Sequence, residues 1–139
     1  MNLQVGVKVL LRNDEGKLLF LRRAASFKPG PQKWDIPGGR INPEESLERA
    51  LEREVREETG LTLEAGQRLL AAQDIFAPDA ELHVVRLTYI GTASGEVVIS
   101  DEHDTHAWMS VSEILAEPYV DSYLRTVLGD SDVISELSI

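Results

Sequence analysis

The spacing of apolar residues switches from two to four and back to two along the chain, and each switch predicts an element. Val5, Val7, Val9 and Leu11 alternate with smaller or polar partners, which predicts a strand from about Leu3 to Arg12. Asn13-Asp14-Glu15-Gly16 reads as a hairpin turn and Lys17 to Arg23 as the returning strand. Arg22 and Arg23 then face opposite sides of a sheet, so at most one enters a cleft on a given side. Residues 24–33 contain Pro29-Gly30-Pro31 and read as a loop with Phe27 and Lys28 near its tip. Trp34-Asp35-Ile36 is extended ahead of Pro37, with Trp34 packing in the core.

Pro37-Gly38-Gly39 interrupts regular structure, and Asn42-Pro43-Glu44-Glu45 supplies a cap, a proline for a first helical position and acids for a first turn. Leu47, Leu51 and Val55 follow at spacing four, and Gly60 is placed to end the helix in a left-handed conformation, so the predicted span is Pro43 to Thr59. Leu63 to Ile75 is mainly extended, Phe76 to Ala80 is a turn, and Leu82 to Thr92 is a β-branched strand pairing back as a hairpin, with His83 as a surface or satisfied histidine rather than a catalyst. Ser94-Gly95 turns the chain again, and Ser100 to His106 is a polar loop ahead of Ala107-Trp108-Met109-Ser110. Ser110 or Ser112 caps a short helix through Leu115, and a last helix covers Val120 to Leu128. The tail from Gly129 to Ile139 leaves a short strand, a dimer contact and a frayed end all open.

The charges on the central helix do not follow the usual solvated pattern. At roughly 100° per residue, Leu47, Leu51 and Val55 define one arc, Glu58 falls inside it, and Glu54 and Glu57 fall beside it. Arg49, Arg53 and Arg56 lie on a separate face with Glu45. Desolvating neighbouring carboxylates costs several kcal/mol unless a cation compensates, so this acidic trio reads as a ligand set. Oxygen donors in a chain without cysteine point to Mg²⁺ or Mn²⁺, shared with substrate phosphates.

With 42% apolar residues the chain is long enough for one domain with a real core, taken as residues 1–139. A net charge of −10 argues against nucleic acid and anionic membranes as partners. The absence of a signal-like start and of any membrane-length apolar run gives the expectation of a cytoplasmic protein. A phosphorylated small molecule is repelled by the same field and therefore needs metal ions and a local basic patch. Arg22, Arg23, Lys28, Lys33 and Arg40 supply that patch ahead of the helix.

Gly39, Glu45 and the run Arg53-Glu54-Val55-Arg56-Glu57-Glu58-Thr59-Gly60-Leu61 occupy every fixed position of the box that defines the Nudix hydrolases, which this chain resembles. The resemblance extends to MutT-like nucleoside triphosphate pyrophosphatases through Leu3-Gln4, Arg12-Asn13, Arg22-Arg23-Ala24-Ala25, Pro37-Gly38-Gly39 and Trp108-Met109-Ser110. It implies an α/β/α sandwich with a mixed sheet, and metal held by Glu54, Glu57, Glu58, the Gly38 carbonyl and Glu102. It also implies that Arg23 contacts substrate phosphate, and Lys28 and Arg40 of the basic patch are read as further substrate-binding residues. Arg53 fixes the carboxylates and Glu45 steadies the helix by pairing with Arg49 and Arg53; Glu54, Glu57 and Glu102 are the candidates to act on the attacking water.

The activity implied is hydrolysis of a nucleoside diphosphate linked to another moiety, read here as a (d)NTP cleaved to monophosphate and pyrophosphate. The alternatives are ADP-ribose or nucleotide-sugar cleavage and, from another class, a non-catalytic nucleotide-sensing module. Where ADP-ribose members carry a downstream proline this chain has Phe76, with Pro78 two residues later, and the asparagine by which MutT-like members read oxidised guanine has no clear counterpart near Pro118 to Tyr123. A homodimer is a further expectation.

Overall fold

Strand β1, Asn2–Leu11, decides the layering, because its alternating side chains enter two different cores. A computed structural model describes residues 1–137 and shows Val7, Val9 and Leu11 on one side of β1 and Leu10 on the other, all fully buried. The first core is closed by α1 (Leu47–Thr59) through Ala50, Leu51 and Val55. The second is closed by α2 (Val111–Leu115) through Ile114, and by α3 (Ser122–Leu128) through Leu124 and Leu128. Strand β2 (Leu18–Arg23) divides in the same way, with Leu19 and Leu21 towards α1 and Leu18 and Phe20 towards α2 and α3. Truncating a fully buried residue such as Leu51 to alanine costs about 2–5 kcal/mol.

The remaining strands are β3 (Trp34–Asp35), β4 (Gly38–Arg40), β5 (Thr62–Leu63), β6 (Arg68–Ala77), β7 (Leu82–Gly91), β8 (Ala93–Ser94) and β9 (His103–Met109). One sheet runs β4-β1-β7-β6, a second β3-β2-β9, and β5 pairs with β8. β1 and β7 are parallel from Asn2↔Leu82 to Leu11↔Gly91, whereas the other pairings are antiparallel. The mixed sheet between helical layers matches the α/β/α expectation.

Several boundaries differ from the sequence expectation for local reasons. Helix α1 starts at Leu47 rather than Pro43, because Glu44 takes a left-handed φ of 66° and Ser46 caps the helix by accepting from the Arg49 N–H. Leu47, now the first helical residue, is 40% exposed instead of buried. Phe76 and Ala77 remain in β6, leaving only Pro78–Ala80 as the turn. His103 to His106 belong to β9 rather than to a loop, since pairing with β2 gives the segment partners that its own sequence does not announce. The tail folds as α4 (Ser131–Leu137), with Asp130 accepting from the Asp132 and Val133 N–H groups; residues 138–139 lie outside the described residues.

Candidate active site

The two glycines of β4 set how closely α1 can approach the sheet. A Cβ on Gly38, at φ +143°, would fall 2.0 Å from the Val7 carbonyl oxygen, and one on Gly39 would fall 2.7 Å from the Glu54 carboxylate. Any side chain there displaces either the strand or the helix. Ladder bonds at Val9 N–H to Pro37 O and Ile41 N–H to Val5 O, each 3.0 Å, bracket Gly38 at a position facing away from β1. Its N–H is therefore free to donate to Glu58 Oε1 at 2.9 Å.

Arg53 organises the neighbouring acids from its own turn of α1. Its Nε donates to Glu45 Oε2 at 2.8 Å and Nη2 to Glu45 Oε1 at 3.0 Å, while Nη1 donates to Glu54 Oε1 at 2.8 Å and Glu57 Oε2 at 3.3 Å. Hydrogen bonds from Arg53 and from the Asn42 N–H bring the Glu45 carboxyl down to about 2. Both Glu45 oxygens are thereby taken, and the expected Glu45–Arg49 pair is not formed. Arg53 Nη2 also donates to the Arg40 carbonyl at 3.1 Å, which ties the helix to β4.

Glu54 and Glu58 face a cleft of about 580 Å³ that also receives Gly38, Gly39, Arg40, Arg23 and Glu102. Glu57 is not among its lining residues: its side chain is more than half exposed and is tied to Arg53 at the rim. Arg23 lies on the cleft wall with its guanidinium over Phe27, whereas Arg22 is held by Asp104 and stacks on buried Trp34. Lys28 borders a smaller adjoining cavity of about 190 Å³, along with Arg23 and Lys33. His83 is engaged by Asp74 at 2.8 Å and stacked on Phe76, away from the cleft.

Burial pushes the Glu58 carboxyl up to about 7; Lys8 and the Gly38 N–H pull it down, and Glu54 and Glu102 raise it further. One ligand atom each from Glu58, Glu102 and His103 lies within 4.8 Å of the others. A buried, incompletely compensated carboxylate with a second carboxylate and an imidazole beside it fits a divalent cation. Burial, together with the nearby cations Arg23 and Lys8, lowers His103 to about 4, so the ring is neutral near pH 7.

Lys8 and Arg86, which also line the cleft, were not expected from the sequence. Lys8 Nζ lies 3.2 Å from Asp35 Oδ2 and 3.1 Å from the Ile36 carbonyl. Arg86 Nη2 is 3.5 Å from the same Asp35 oxygen, and its Nη1 is 2.9 Å from Asp121 Oδ1, the residue that caps α3. The two cations hold Asp35 below its ordinary range despite burial. The one available signal was a lysine inside the run Val7-Lys8-Val9-Leu10-Leu11, at a strand position where only a paired charge is tolerated.

A family model described as the NUDIX domain matches residues 2–128. The chain is 34% identical to the m7GpppN-mRNA hydrolase NUDT17 of Danio rerio over 130 residues, which is 86% of this chain but 42% of that protein. It is 31% identical to the CTP pyrophosphohydrolase of Escherichia coli over 81% of this chain and 79% of that one. It is also 30% identical to the nucleoside triphosphatase NudI of Klebsiella pneumoniae, over 75% and 80% respectively. Among solved structures it resembles the MutT protein of Methanosarcina mazei, with a TM-score of 0.82, 32% identity and coverage of 96% and 94%. With the glycine-rich strand, the arginine-clamped acidic helix and the family match over most of its length, the chain belongs to the Nudix hydrolase family.

Proposed function

We propose that this single Nudix unit is a Mg²⁺-dependent hydrolase, with Mn²⁺ as an accepted substitute, that cleaves a (d)NTP to the monophosphate and pyrophosphate. The observation that carries the reading is the pairing of opposite charges across one cleft. Glu54, Glu58 and Glu102 stand on its acidic side, and Arg23 leads to a side cavity bordered by Lys28 and Lys33. Among the described residues none of these three cations forms an ion pair, so all are free to meet a polyphosphate. In a chain of net charge −10, that local patch is what gives a polyanion a binding surface.

Glu54, Glu57, Glu58 and Glu102, with the Gly38 carbonyl, would hold the cation, and Arg53 fixes the geometry of the first two. A divalent ion bound there supplies charge neutralisation at the phosphates and a lowered pKa for a water molecule. Arg23 and Arg40 bind and orient the phosphate chain. Glu102 or a glutamate of α1 accepts the proton of the attacking water as its oxygen bonds to phosphorus and the anhydride P–O bond breaks.

The test is a panel of dNTPs, NTPs, ADP-ribose, nucleotide sugars and capped RNA, assayed for released pyrophosphate, phosphate and monophosphate with and without chelator. Pyrophosphate released from a triphosphate, and abolished by chelator, is the expected result. Preferential cleavage of ADP-ribose or a nucleotide sugar would favour the diphosphate-linked alternative. Cleavage of capped RNA alone would favour the activity named for the Danio rerio relative and bring in an RNA partner. Binding without turnover of any substrate would identify a sensing module. A small-molecule nucleotide is the proposed partner, with homodimerisation, exclusion of nucleic acid and a cytoplasmic location as subsidiary proposals. Among the described residues no helix is long and apolar enough to cross a membrane.

A further inference from the structure

β9 brings to the acidic cleft a nitrogen donor that neither the Nudix box nor the assigned ligand set includes. His103 follows Glu102 directly and opposes Arg23 across the β2–β9 pairing. Its side chain is only 6% exposed, and Nε2 points at Glu58 Oε2 from 3.9 Å. That separation is too long for a hydrogen bond. It does suit two donors of one ion, because ligands each about 2.1 Å from a shared metal stand roughly 3–4.2 Å apart. Among the described residues the other ring nitrogen, Nδ1, is buried without a hydrogen-bond partner, and so is the Ser100 hydroxyl at the turn where the His103 N–H donates to the Ser100 carbonyl. Among the described residues no hydrogen bond occupies Nε2, which is left facing the Glu58 carboxylate with Glu102 beside it, in the position of a further donor to a shared ion.

We propose that His103 donates Nε2 to the divalent ion held by Glu58 and Glu102, and that this nitrogen shifts the centre's preference from Mg²⁺ towards Mn²⁺ or another transition metal. The inference rests on the carboxylate metal site described above and adds one ligand to it. Mg²⁺ favours all-oxygen coordination, while imidazole suits later metals, so the nitrogen confers selectivity that the glutamates alone do not.

The test loads the intact protein with Mn²⁺ and records electron spin-echo modulation. The chain has three histidines, so His83→Gln and His106→Gln serve as controls for His103→Gln. A ¹⁴N coupling present in the parent and both controls, and absent from His103→Gln, is the expected result. Titration should show Mn²⁺ affinity falling roughly tenfold or more in that variant with Mg²⁺ affinity changed less than about threefold. His103→Asn, compared with the parent by melting in chelator, provides a second variant should the glutamine disturb folding. Bound Mn²⁺ without nitrogen coupling, or coupling that survives His103→Gln, overturns the histidine's role and leaves the carboxylate site intact. Failure of the parent to bind Mn²⁺ at all overturns both.

Discussion

Two polar clusters, each with a buried carboxylate, adjoin the cleft, and they differ in whether their charges cancel. In the first, Lys8, Asp35, Arg86 and Asp121 alternate in sign and satisfy one another. In the second, Glu58 stands beside Glu102, Glu54 and a neutral imidazole with only distant help from Lys8, and its carboxyl is raised rather than lowered. The same burial thus acts on Asp35 and Glu58 with opposite outcomes, because Lys8 and Arg86 both stand within ion-pair reach of Asp35, whereas at Glu58 the pull of Lys8 and the Gly38 N–H is outweighed by burial with Glu54 and Glu102 beside it. A closed network holds β1, β3, β7 and the α3 cap in register; an open one is built to be completed by something that binds.

Breaking the closed network has the largest expected effect. Asp35→Ala leaves Lys8 and Arg86 buried without their shared partner and should destabilise the protein by about 3–5 kcal/mol, read from denaturant unfolding with and without metal. A loss below about 1 kcal/mol would mean that the two cations find other partners and the cluster is not closed. Next, Glu58→Gln should lower turnover by about a hundredfold or more, while the metal-free protein keeps or gains stability. A folded variant with most of its rate would remove Glu58 from the site.

The two arginines of β2 differ in the same way at the substrate side, one engaged and one free of ion pairs among the described residues. Arg23→Ala should raise KM for a triphosphate roughly tenfold, whereas Arg22→Ala, already engaged by Asp104 and Trp34, should change it far less. Equal effects would place phosphate on the other face of β2. The smallest effect is a slope of stability with pH in chelator. Glu58 has a folded pKa above its unfolded value of 4.5, so its contribution is fully present below about 4.5 and is lost as pH rises towards about 7. Over that window the parent should lose at most about 1.4 kcal/mol per pH unit relative to Glu58→Gln. Asp35, with a lowered pKa, has the opposite sign and acts only at more acid pH.

What was legible in the sequence follows the range of the interaction. The alternation of β1, the αL Gly60 and the position of Glu58 inside the apolar arc depend on near neighbours and are present in the structure. The Lys8–Asp35 pair spans 27 residues, so the apolar run around Lys8 shows that it needs a partner but not which one, and β9 becomes a strand only by pairing with β2, so His103 carries no local signal. Glu57 shows the opposite limit. The box gives it the same standing as Glu58, yet one residue is a turn of roughly 100°, enough to put Glu57 at the rim with Arg53 and Glu58 in the cleft. Helix α4 has little local signal, because its cap, Asp130, lies in a tail otherwise poor in pattern.

Whether the incompletely compensated cluster is a metal site is decided by four melting curves: parent and Glu58→Gln, each with chelator and with millimolar Mg²⁺ or Mn²⁺. Metal that binds only the folded state adds RT ln(1 + [L]/Kd), about 2.7 kcal/mol at a hundredfold excess over Kd. The account predicts a clear rise in Tm for the parent on adding metal, a much smaller rise for Glu58→Gln, and a Glu58→Gln Tm in chelator at or above that of the parent. An equal metal shift in both proteins, or none in either, would contradict it.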